Sequence, residues 1–361
     1  MNAQQQHVYT ALGLMSGTSL DGLDLALCRF GVSGDQWSYE ILATGEIPYP
    51  KDWADRLQEA IHASAIELAM LDRDYGRWLG RQVLHFLDRH PAQLACVASH
   101  GHTIHHRPQE GLTIQVGHGR ALADTCGQIV VSDFRTRDVL YGGQGAPLVP
   151  VGDQLLFGEY AACLNLGGFS NVSFWQDGQR RAYDIGFVNI VLNDLARRVG
   201  RPYDQNGDIA RSGQLDSQLL NQLEALPYYQ RQYPKSTGYE WILEEVLPLF
   251  RESETPIADQ MHTAVVHIAR RIGSDLAHHL GHKGGTVLVT GGGACHSFLL
   301  EQLQQQVPGA ISLYLPPAEL IHFKEALVFA FMGVLRLRGA ANCLASVTGA
   351  QMDVSGGEIY A

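Results

Sequence analysis

Positive charge is scarce in this sequence of 361 residues, which has 26 lysines and arginines against 37 aspartates and glutamates. The formal charge of −11 argues against nucleic-acid binding through an overall positive field, although it leaves room for a small phosphate site. Apolar runs long enough to span a bilayer are lacking, and so are the basic and apolar segments of a signal peptide. We therefore expect a cytoplasmic protein that binds neither nucleic acid nor membranes.

Paired cysteines are missing as well, since no two of the six cysteines form a CxxC motif. Their scattered positions argue against a zinc ribbon or a disulfide framework and favour reduced thiols. The phosphate-binding pattern GxxxxGK[ST] is also absent, so a Walker-type nucleotide site is not supported. A nucleotide site in this protein must therefore be built in another way.

One order of elements occurs twice in the sequence: strand, glycine turn, strand, turn, strand, helix. It begins near residue 10, where the turn reads SGTSLDG, and again near residue 160, where the turn reads GGFS. The predicted strands and helices of the two copies cover residues 8–15, 23–30, 37–47 and 55–90, and then residues 160–166, 171–176, 180–186 and 188–200. Such a repeat indicates a duplicated lobe.

A different glycine-rich corner follows the second copy. An apolar strand at residues 285–290 runs into three consecutive glycines, and an amphipathic helix begins near His296. Consecutive glycines let the backbone approach a ligand closely, and the helix N-terminus adds partial positive charge. The last predicted helix, residues 324–339, is apolar nearly all round and is expected to pack between lobes.

Together these patterns suit the oxygens of a polyphosphate, which need many N–H donors and little side-chain bulk nearby. They predict an α/β protein with the two-lobed fold of actin-like ATPases, a duplicated ribonuclease H-like fold with a nucleotide cleft between the lobes. The first lobe is expected to comprise residues 1–149 and 339–361, and the second residues 150–338. The glycines expected at the nucleotide, in the second hairpin and in the later corner, are Gly167, Gly168, Gly291, Gly292 and Gly293.

The sequence resembles the anhydro-N-acetylmuramic acid kinase family over almost its whole length. The motifs that carry the resemblance are MSGTSLDGLD (15–24), DFRTRD (133–138), GGQGAPLVP (142–150), LNLGGFSN (164–171), KSTGYE (235–240), EALVFA (325–330) and SVTGA (346–350). The resemblance implies a homodimeric enzyme that uses ATP and Mg²⁺ to phosphorylate 1,6-anhydro-N-acetylmuramic acid while water opens the anhydro ring. The product, N-acetylmuramic acid 6-phosphate, would enter peptidoglycan recycling.

The resemblance also implies roles for individual residues. The residues expected to hold the ATP phosphates are Gly17, Thr18, Ser19, Leu20, Asp21, Gly22, Leu23 and Asp24. The family's catalytic aspartate lies in a motif usually written DTGPGN, and the matching stretch here is DIGFVN, residues 184–189. Asp184 would therefore be the base that accepts a proton from water, unless it merely caps the helix that follows. Because Ile185, Phe187 and Val188 depart from the pattern, the alternatives are a kinase of another sugar or small metabolite, or a non-catalytic nucleotide-binding module.

Glu325 is the second catalytic candidate. It lies in an apolar run, where a buried carboxylate without a partner would be costly. It would orient water or a hydrated Mg²⁺ ion near the γ-phosphate, or else belong to a salt bridge at the lobe boundary. The metal ligands cannot be named from the sequence, because Mg²⁺ usually keeps several waters.

Polar residues at predicted strand ends and turns are candidates for binding the sugar. They are His100, Asp133, Arg135, Gln144, Asn165 and Asn189. The Arg135 fork suits a carboxylate such as the lactyl group of a muramyl sugar, and the alternative is a structural pair with Asp133. Gln144 and Asn165 could instead satisfy turns.

The histidines around His102 and the loop at residues 235–237 each allow two interpretations. His102 stands where the family usually has glutamine, and a zinc site formed with its neighbouring histidines is less favoured than a polar turn facing the sugar. The loop at residues 235–237 is expected to close near the ligands, or else to be a solvated loop with Ser236 or Thr237 capping the next helix.

Overall fold

The computed structural model describes residues 7–17, 20–232 and 235–361. Up to residue 158 the elements are β1 (His7–Met15), β2 (Gly22–Ser33), β3 (Gln36–Pro48), α1 (Lys51–Glu59), α2 (Ala65–Arg89), β4 (Cys96–Ser99), β5 (His102–Arg107), β6 (Leu112–Val116), α3 (Gly119–Cys126), β7 (Val130–Ser132), α4 (Thr136–Leu140) and α5 (Pro150–Leu155).

The later elements are β8 (Ala162–Leu166), β9 (Phe169–Gln176), β10 (Gln179–Phe187), α6 (Asn189–Arg198), α7 (Asp208–Ser212), α8 (Ser217–Glu224), α9 (Tyr239–Trp241), α10 (Leu247–Glu252), α11 (Ile257–Leu280), β11 (Gly285–Thr290), α12 (Ser297–Gln306), β12 (Ile311–Tyr314), α13 (Ala318–Leu337), α14 (Ala345–Thr348) and β13 (Glu358–Tyr360). A π-helical turn, Ile242–Val246, joins α9 to α10.

The chain separates into two compact units. The first comprises Met1–Gly158 and Phe323–Ala361, and the second comprises Glu159–His322. The sequence places these boundaries at residues 150 and 339 instead. The difference at the C-terminal boundary arises from α13, whose residues from Phe323 onward pack on the sheet of the first unit.

Each unit is built around one mixed sheet. Within the described residues, the first unit has the strand order β13-β7-β4-β1-β2-β3 and the second has β10-β9-β8-β11-β12. In both, three consecutive strands pair antiparallel, and the first of them also pairs with a later parallel strand. That parallel strand pairs in turn with a second parallel strand: β4 pairs with β7 in the first unit, and β11 pairs with β12 in the second. This shared topology confirms the predicted α/β class and the duplicated ribonuclease H-like arrangement.

The two cores explain why these segments fold. In the first unit, the leucines of β1 and β2 pack with α2 through residues such as Leu25, Leu79 and Val83. In the second unit, β8 and β11 pack against α6 and α11 through residues such as Leu164 and Ile268. The predicted helical segment 55–90 is two helices, because Ser64 forms a capping box with Glu67 and starts α2 anew.

From Phe323 onward, the apolar α13 packs on the sheet of the first unit. Gly13 of β1 has no space for a side chain, because a Cβ there would collide with the carbonyl oxygen of Ala326. The Phe331 ring lies 5.3 Å from that of Phe30 and 4.9 Å from that of Trp37. These contacts with β1, β2 and β3 account for the all-round apolar character of α13. The packing of this helix between the lobes stays a prediction.

All six cysteines are free thiols, and each is buried except Cys295. Across the part of the chain that the structure describes, we find no helix with the length and apolar character needed to cross a membrane.

Candidate active site

The predicted site residues fall into two groups, one in each unit. The first unit carries the hairpin residues of 17–24 together with His100, Asp133, Arg135, Gln144 and Glu325. The second unit carries Asp184 and the residues Asn165, Gly167, Gly168, Asn189, Gly291, Gly292 and Gly293.

The described part of the turn between β1 and β2 has a constrained backbone. The Leu20 N–H donates to the carbonyl oxygen of Gly17 at 3.3 Å, and Leu20 adopts a left-handed conformation with φ 60°. Such a φ is uncommon for leucine and is often found at functional sites. Gly22 has no room for a side chain, because a Cβ would lie 2.5 Å from the carbonyl oxygen of Ile47. Thr18 and Ser19 lie outside the described residues.

Two acidic side chains of the first unit, Asp24 and Glu325, have raised pKa values. Burial, together with the neighbouring charges of Glu46, Glu325 and Asp21, raises the pKa of Asp24 to about 7. Burial also raises the pKa of Glu325, whereas Lys324 and Arg135 oppose that shift. Asp24 and Glu325 therefore form a region that would attract a cation. Leu23, between Asp24 and the turn, is part of the core and can offer a ligand only its backbone.

The alternative role of Glu325 in a salt bridge is not observed. Lys324 directs its Nζ to Asp153 Oδ1 at 2.6 Å, and both side chains are buried in the first unit. Among the described residues, Glu325 has no hydrogen-bond partner. Its carboxylate thus remains available to a ligand, a metal ion or water.

Arg135 and His100 form the most closely bonded part of this group. The guanidinium donates from Nε and Nη2 to His100 Nε2 at 3.0 and 2.8 Å, and from Nη1 to the carbonyl oxygen of Gly145 at 2.5 Å. Burial lowers the pKa of Arg135 to about 10. Burial and the Arg135 charge hold the pKa of His100 well below its usual range, so His100 is a neutral acceptor. The arginine fork that suits a carboxylate is occupied by the protein itself.

The loop that carries Gly145 is held by two residues that the sequence did not single out. Asp138 accepts hydrogen bonds from the Gly145 N–H and from the Thr348 hydroxyl, each at 2.8 Å. Both residues lie inside motifs that carry the family resemblance, DFRTRD and SVTGA. The signal that could have identified them is an acidic residue close to a glycine-rich loop, where a buried carboxylate can accept the loop's backbone N–H groups.

Asp133 and Gln144 take local roles in the structure. Asp133 has φ 60°, and its Oδ1 accepts the N–H of Thr136 at 3.3 Å. It therefore shapes the turn before α4, and it does not pair with Arg135. The Gln144 backbone N–H donates to the carbonyl oxygen of Thr348 at 2.8 Å, and its side chain is exposed.

His102 belongs to a chain of polar groups in the first unit. Its Nδ1 lies 2.8 Å from Ser16 Oγ, which lies 2.6 Å from the hydroxyl of Tyr49. Burial lowers the pKa of His102 to about 4, so the ring is neutral. In the described parts of the chain, no three histidine, cysteine or acidic side chains are grouped so that they could hold a metal ion. These contacts give His102 a structural role next to Ser16 and Gly17.

In the second unit, the predicted asparagines and glycines meet at one corner. The Asn189 backbone N–H donates to the carbonyl oxygen of Gly167 at 3.2 Å, and its side chain donates to the carbonyl oxygen of Leu166 at 3.1 Å. Gly291 has φ 83°, and a Cβ there would collide with Asn165. The structure thus brings Asn165, Asn189 and the glycines together, and only glycine fits at 291.

The other glycines of this corner have similar constraints. Gly168 accepts hydrogen bonds from the N–H groups of Val188 and Ile190. Gly292 starts a 3₁₀ turn and would place a Cβ 3.6 Å from Asn189 Nδ2, and Gly293 packs on Leu166. The corner therefore couples the β8–β9 hairpin to the triple-glycine turn.

Asp184 lies on β10 at a β-bulge and is held from three directions. Its Oδ2 accepts the N–H of Thr237 at 3.2 Å, its own N–H donates to the carbonyl oxygen of Lys235 at 3.2 Å, and its carbonyl oxygen accepts the Tyr228 hydroxyl at 2.6 Å. Burial raises the pKa of Asp184 to about 6, against the lowering effects of the Thr237 N–H and the Lys235 charge.

The alternative role of Asp184 as a helix cap is not observed. The N-cap of α6 is Val188, which makes no side-chain cap, and the N-cap of α9 is Gly238. Ser236 and Thr237 therefore do not cap α9, and the Thr237 N–H binds Asp184 instead. Sequence reasoning assigned no role to Tyr228, whose contact with Asp184 depends on the folding of residues 44 positions apart.

The model of the family described as anhydro-N-acetylmuramic acid kinase matches residues 9–361. The chain belongs to this family. A relative from Gloeobacter violaceus that is named anhydro-N-acetylmuramic acid kinase is 34% identical, and the alignment covers 97% of this chain and 98% of the relative. One of the same name from Pseudomonas putida is 36% identical, with 94% and 96% covered.

Among solved structures, component A of (R)-2-hydroxyglutaryl-CoA dehydratase from Acidaminococcus fermentans matches with a TM-score of 0.43 and 14% identity. The match covers 89% of this chain and 96% of that chain. A match at this level bears on neither the fold nor the activity.

The departures from the family motif DTGPGN have a structural explanation. Ile185, Phe187 and Val188 are all buried in the hydrophobic core of the second unit. These substitutions therefore alter packing beneath the bulge, whereas Asp184 and Asn189, which the family motif shares, keep their hydrogen bonds.

Proposed function

We propose that this kinase transfers the γ-phosphoryl group of ATP to the 6-oxygen of 1,6-anhydro-N-acetylmuramic acid while water opens the anhydro ring. The product is N-acetylmuramic acid 6-phosphate, an intermediate of peptidoglycan recycling. The observation that carries the proposal is the fixed Asp184 carboxylate with its pKa of about 6. Activity in the cytoplasm and a homodimeric state are further parts of this proposal.

Asp184 acts as the general base. Its Oδ2 is bound by the Thr237 N–H, and Oδ1 accepts a proton from water. That water adds to the anomeric carbon, and the bond from this carbon to the bridging oxygen breaks. The released oxygen takes the γ-phosphoryl group of ATP, whose bond to the β-phosphate oxygen breaks to release ADP. A base with a pKa just below neutrality is mostly ionised at pH 7 and still strong enough to accept a proton, an effect worth about 10²–10⁴-fold in rate.

The backbone of the glycine turns fits the phosphates of ATP. Gly22 in the first unit and Gly291 in the second have no room for a side chain. Backbone N–H groups in such turns bind phosphate oxygens without obstruction. The residues proposed for this role are Gly17, Thr18, Ser19, Leu20, Asp21, Gly22, Leu23, Asp24, Gly167, Gly168, Gly291, Gly292 and Gly293.

Asp24 and Glu325 fit a hydrated Mg²⁺ ion. The Glu325 charge is one of the causes that raise the pKa of Asp24, so a cation near both carboxylates would relieve that repulsion. Oxygen ligands and retained waters are what Mg²⁺ prefers. When bound, the ion would neutralise charge on the phosphates.

The sugar is proposed to contact His100, Gln144, Asn165 and Asn189, with Asp133 and Arg135 supporting this region. Arg135 acts by fixing His100 and Gly145, since its donors face these groups. A neutral His100 can offer its Nδ1–H, which is buried without a hydrogen-bond partner in the described residues.

The test is an assay of the purified protein with ATP, Mg²⁺ and 1,6-anhydro-N-acetylmuramic acid. We expect a sugar 6-phosphate with a free reducing end. Asp184→Asn should lower turnover by about 10²–10⁴-fold and leave ATP binding unchanged, since the amide cannot accept the proton. A wild-type protein that binds ATP without forming this product would contradict the proposed substrate, and a fully active Asp184→Asn would contradict the proposed base.

A further inference from the structure

The segment at residues 235–237 encloses Asp184 through the backbone. The carbonyl oxygen of Lys235 accepts the N–H of Asp184, and two residues later the N–H of Thr237 donates to the Asp184 carboxylate. The segment therefore binds the residue at its main chain and at its reactive group. Neither bond follows from a local pattern, since 53 positions separate Thr237 from Asp184.

The side chain of Lys235 lies over two aromatic rings beside Asp184. Its Nζ is 4.9 Å from the centroid of the Tyr228 ring and 5.4 Å from that of Tyr183. Tyr183 directly precedes Asp184 on β10, and Tyr228 donates its hydroxyl to the Asp184 carbonyl oxygen. Faces of aromatic rings attract a cation, so the ammonium is held next to the base.

Other charged groups face this lysine from α11 and from its own segment. Asp275 of α11 accepts the Tyr183 hydroxyl at 3.1 Å, and that hydroxyl also lies 2.8 Å from His279 Nε2. Burial lowers the pKa of Lys235, and Arg271 and Arg231 lower it too, whereas Asp275 and Asp184 raise it. The lysine is thus a cation between two carboxylates.

We infer that Lys235 is a positioning residue for Asp184, because its carbonyl oxygen holds the Asp184 main chain and its ammonium keeps the carboxylate ionised. This inference rests on the proposed role of Asp184 as the base. It assigns the lysine no contact with the reacting atoms. Its side chain acts through charge, and its backbone acts through the single hydrogen bond that its carbonyl oxygen accepts from the Asp184 N–H.

The pH dependence of kcat/KM distinguishes the charge of Lys235 from its packing. Loss of the positive charge should raise the pKa of Asp184, so the acidic limb of the profile moves to higher pH. For a cation that is near the carboxylate and not in direct contact, the expected displacement is about 0.5–1 pH unit. Activity should then fall about threefold at pH 6 and almost not at all at pH 8.

A purely structural lysine predicts a different result. Loss of packing would reduce kcat/KM by the same factor at every pH, and Lys235→Met, which keeps the aliphatic stem, would restore it. In that case Lys235→Arg, which retains the positive charge, would preserve kcat/KM no better than Lys235→Met. The pH profile therefore distinguishes charge from packing.

The experiment compares Lys235→Gln, Lys235→Met and Lys235→Arg, with Arg231→Gln as the matched control. Arg231 is an exposed cation near the same Tyr228 ring and does not contribute to the Asp184 pKa. We expect Lys235→Gln and Lys235→Met to move the acidic limb of the profile to higher pH. Lys235→Arg and Arg231→Gln should keep it near the wild-type position. An unmoved limb in both Gln and Met would overturn the inference.

A second readout does not depend on turnover. Carboxyl ¹³C chemical shifts of labelled aspartate report the titration of Asp184, and the Asp184→Asn spectrum identifies its signal. We expect the Asp184 midpoint to rise in Lys235→Gln and to stay in Lys235→Arg. An unchanged midpoint overturns the inference even if Asp184→Asn is inactive, whereas an active Asp184→Asn with a displaced midpoint overturns only the proposed role of the base.

Discussion

Arg135 donates two hydrogen bonds from one edge of its guanidinium to the same acceptor, His100 Nε2, at 3.0 and 2.8 Å. A third donor, Nη1, binds the carbonyl oxygen of Gly145. The arginine therefore joins the residue after β4 to the loop that precedes α5. It also fixes the tautomer of His100, since Nε2 must carry the lone pair and Nδ1 the proton.

Replacement of this arginine by lysine should impair sugar binding. Lysine keeps the charge and cannot reproduce the planar fork, so at least one of the bonds to His100 and Gly145 is lost. We expect Arg135→Lys to raise KM for the sugar about 10-fold or more, because a charged hydrogen bond contributes about 1.5–3 kcal/mol. KM for ATP should stay within about twofold.

Arg137→Lys is the control for this comparison. Arg137 lies in the same motif, is exposed, and binds the carbonyl oxygen of Ser355. Steady-state kinetics of both variants, with thermal unfolding to verify folding, provide the measurement. Equal KM values for Arg135→Lys and the wild type would show that the fork has no part in sugar binding.

Asp184→Asn should stabilise the protein at alkaline pH. The folded-state pKa of Asp184, about 6, exceeds its usual value of 3.8, so the folded protein favours the protonated acid. The stabilising contribution of this group is complete below about pH 4 and is lost as the pH rises through 6. The neutral amide avoids that loss, and we expect a gain of about 1–3 kcal/mol at pH 8.

The gain should disappear near pH 4, where the wild-type carboxyl is protonated in the folded state. Urea unfolding at both pH values measures it, with Asp177→Asn as the control. Asp177 lies in an exposed turn with φ 51°, a conformation that asparagine tolerates well. A gain of equal size at both pH values would contradict the raised pKa as its cause.

Gly13→Ala should be strongly destabilising. A Cβ at this position of β1 would collide with the carbonyl oxygen of Ala326 and lie 2.8 Å from the backbone N of Ala330. The helix would have to move from the strand, and overpacking of this kind typically costs about 1–3 kcal/mol or more. Gly309→Ala is the control, because a Cβ there meets nothing within 4 Å.

Chemical denaturation of both variants tests this contact. The control is expected to change the free energy of unfolding by no more than about 0.5 kcal/mol. If Gly13→Ala proves equally harmless, α13 does not pack on β1 as closely as described here.

Local patterns were sufficient for the hairpins and for the glycine corner. β1 and β2 were predictable from the alternation of Leu23, Leu25 and Leu27, and the break before α12 from three consecutive glycines. Such features depend on residues close together in the chain, where strand period and turn chemistry decide the structure. Asp184 was identifiable through the family motif.

Side-chain partners across long separations were not predictable. Arg135 was expected to pair with Asp133 or with a ligand, and it binds His100. Lys324 binds Asp153, which is far from it in the sequence. The loop at 235–237 had two interpretations, neither of which included a backbone bond to the base. These contacts follow from packing of whole elements, which a one-dimensional pattern does not specify.

The second unit is continuous in the chain, whereas the first combines Met1–Gly158 with Phe323–Ala361. During synthesis the ribosome therefore completes residues 159–322 before it has made most of α13 or any of β13. Domains tend to fold as units while the chain grows, so the second unit can fold before all residues of the first unit have been synthesised. Until then the face of β1 that will receive α13 stays bare on the nascent chain, as a site that a chaperone could cover.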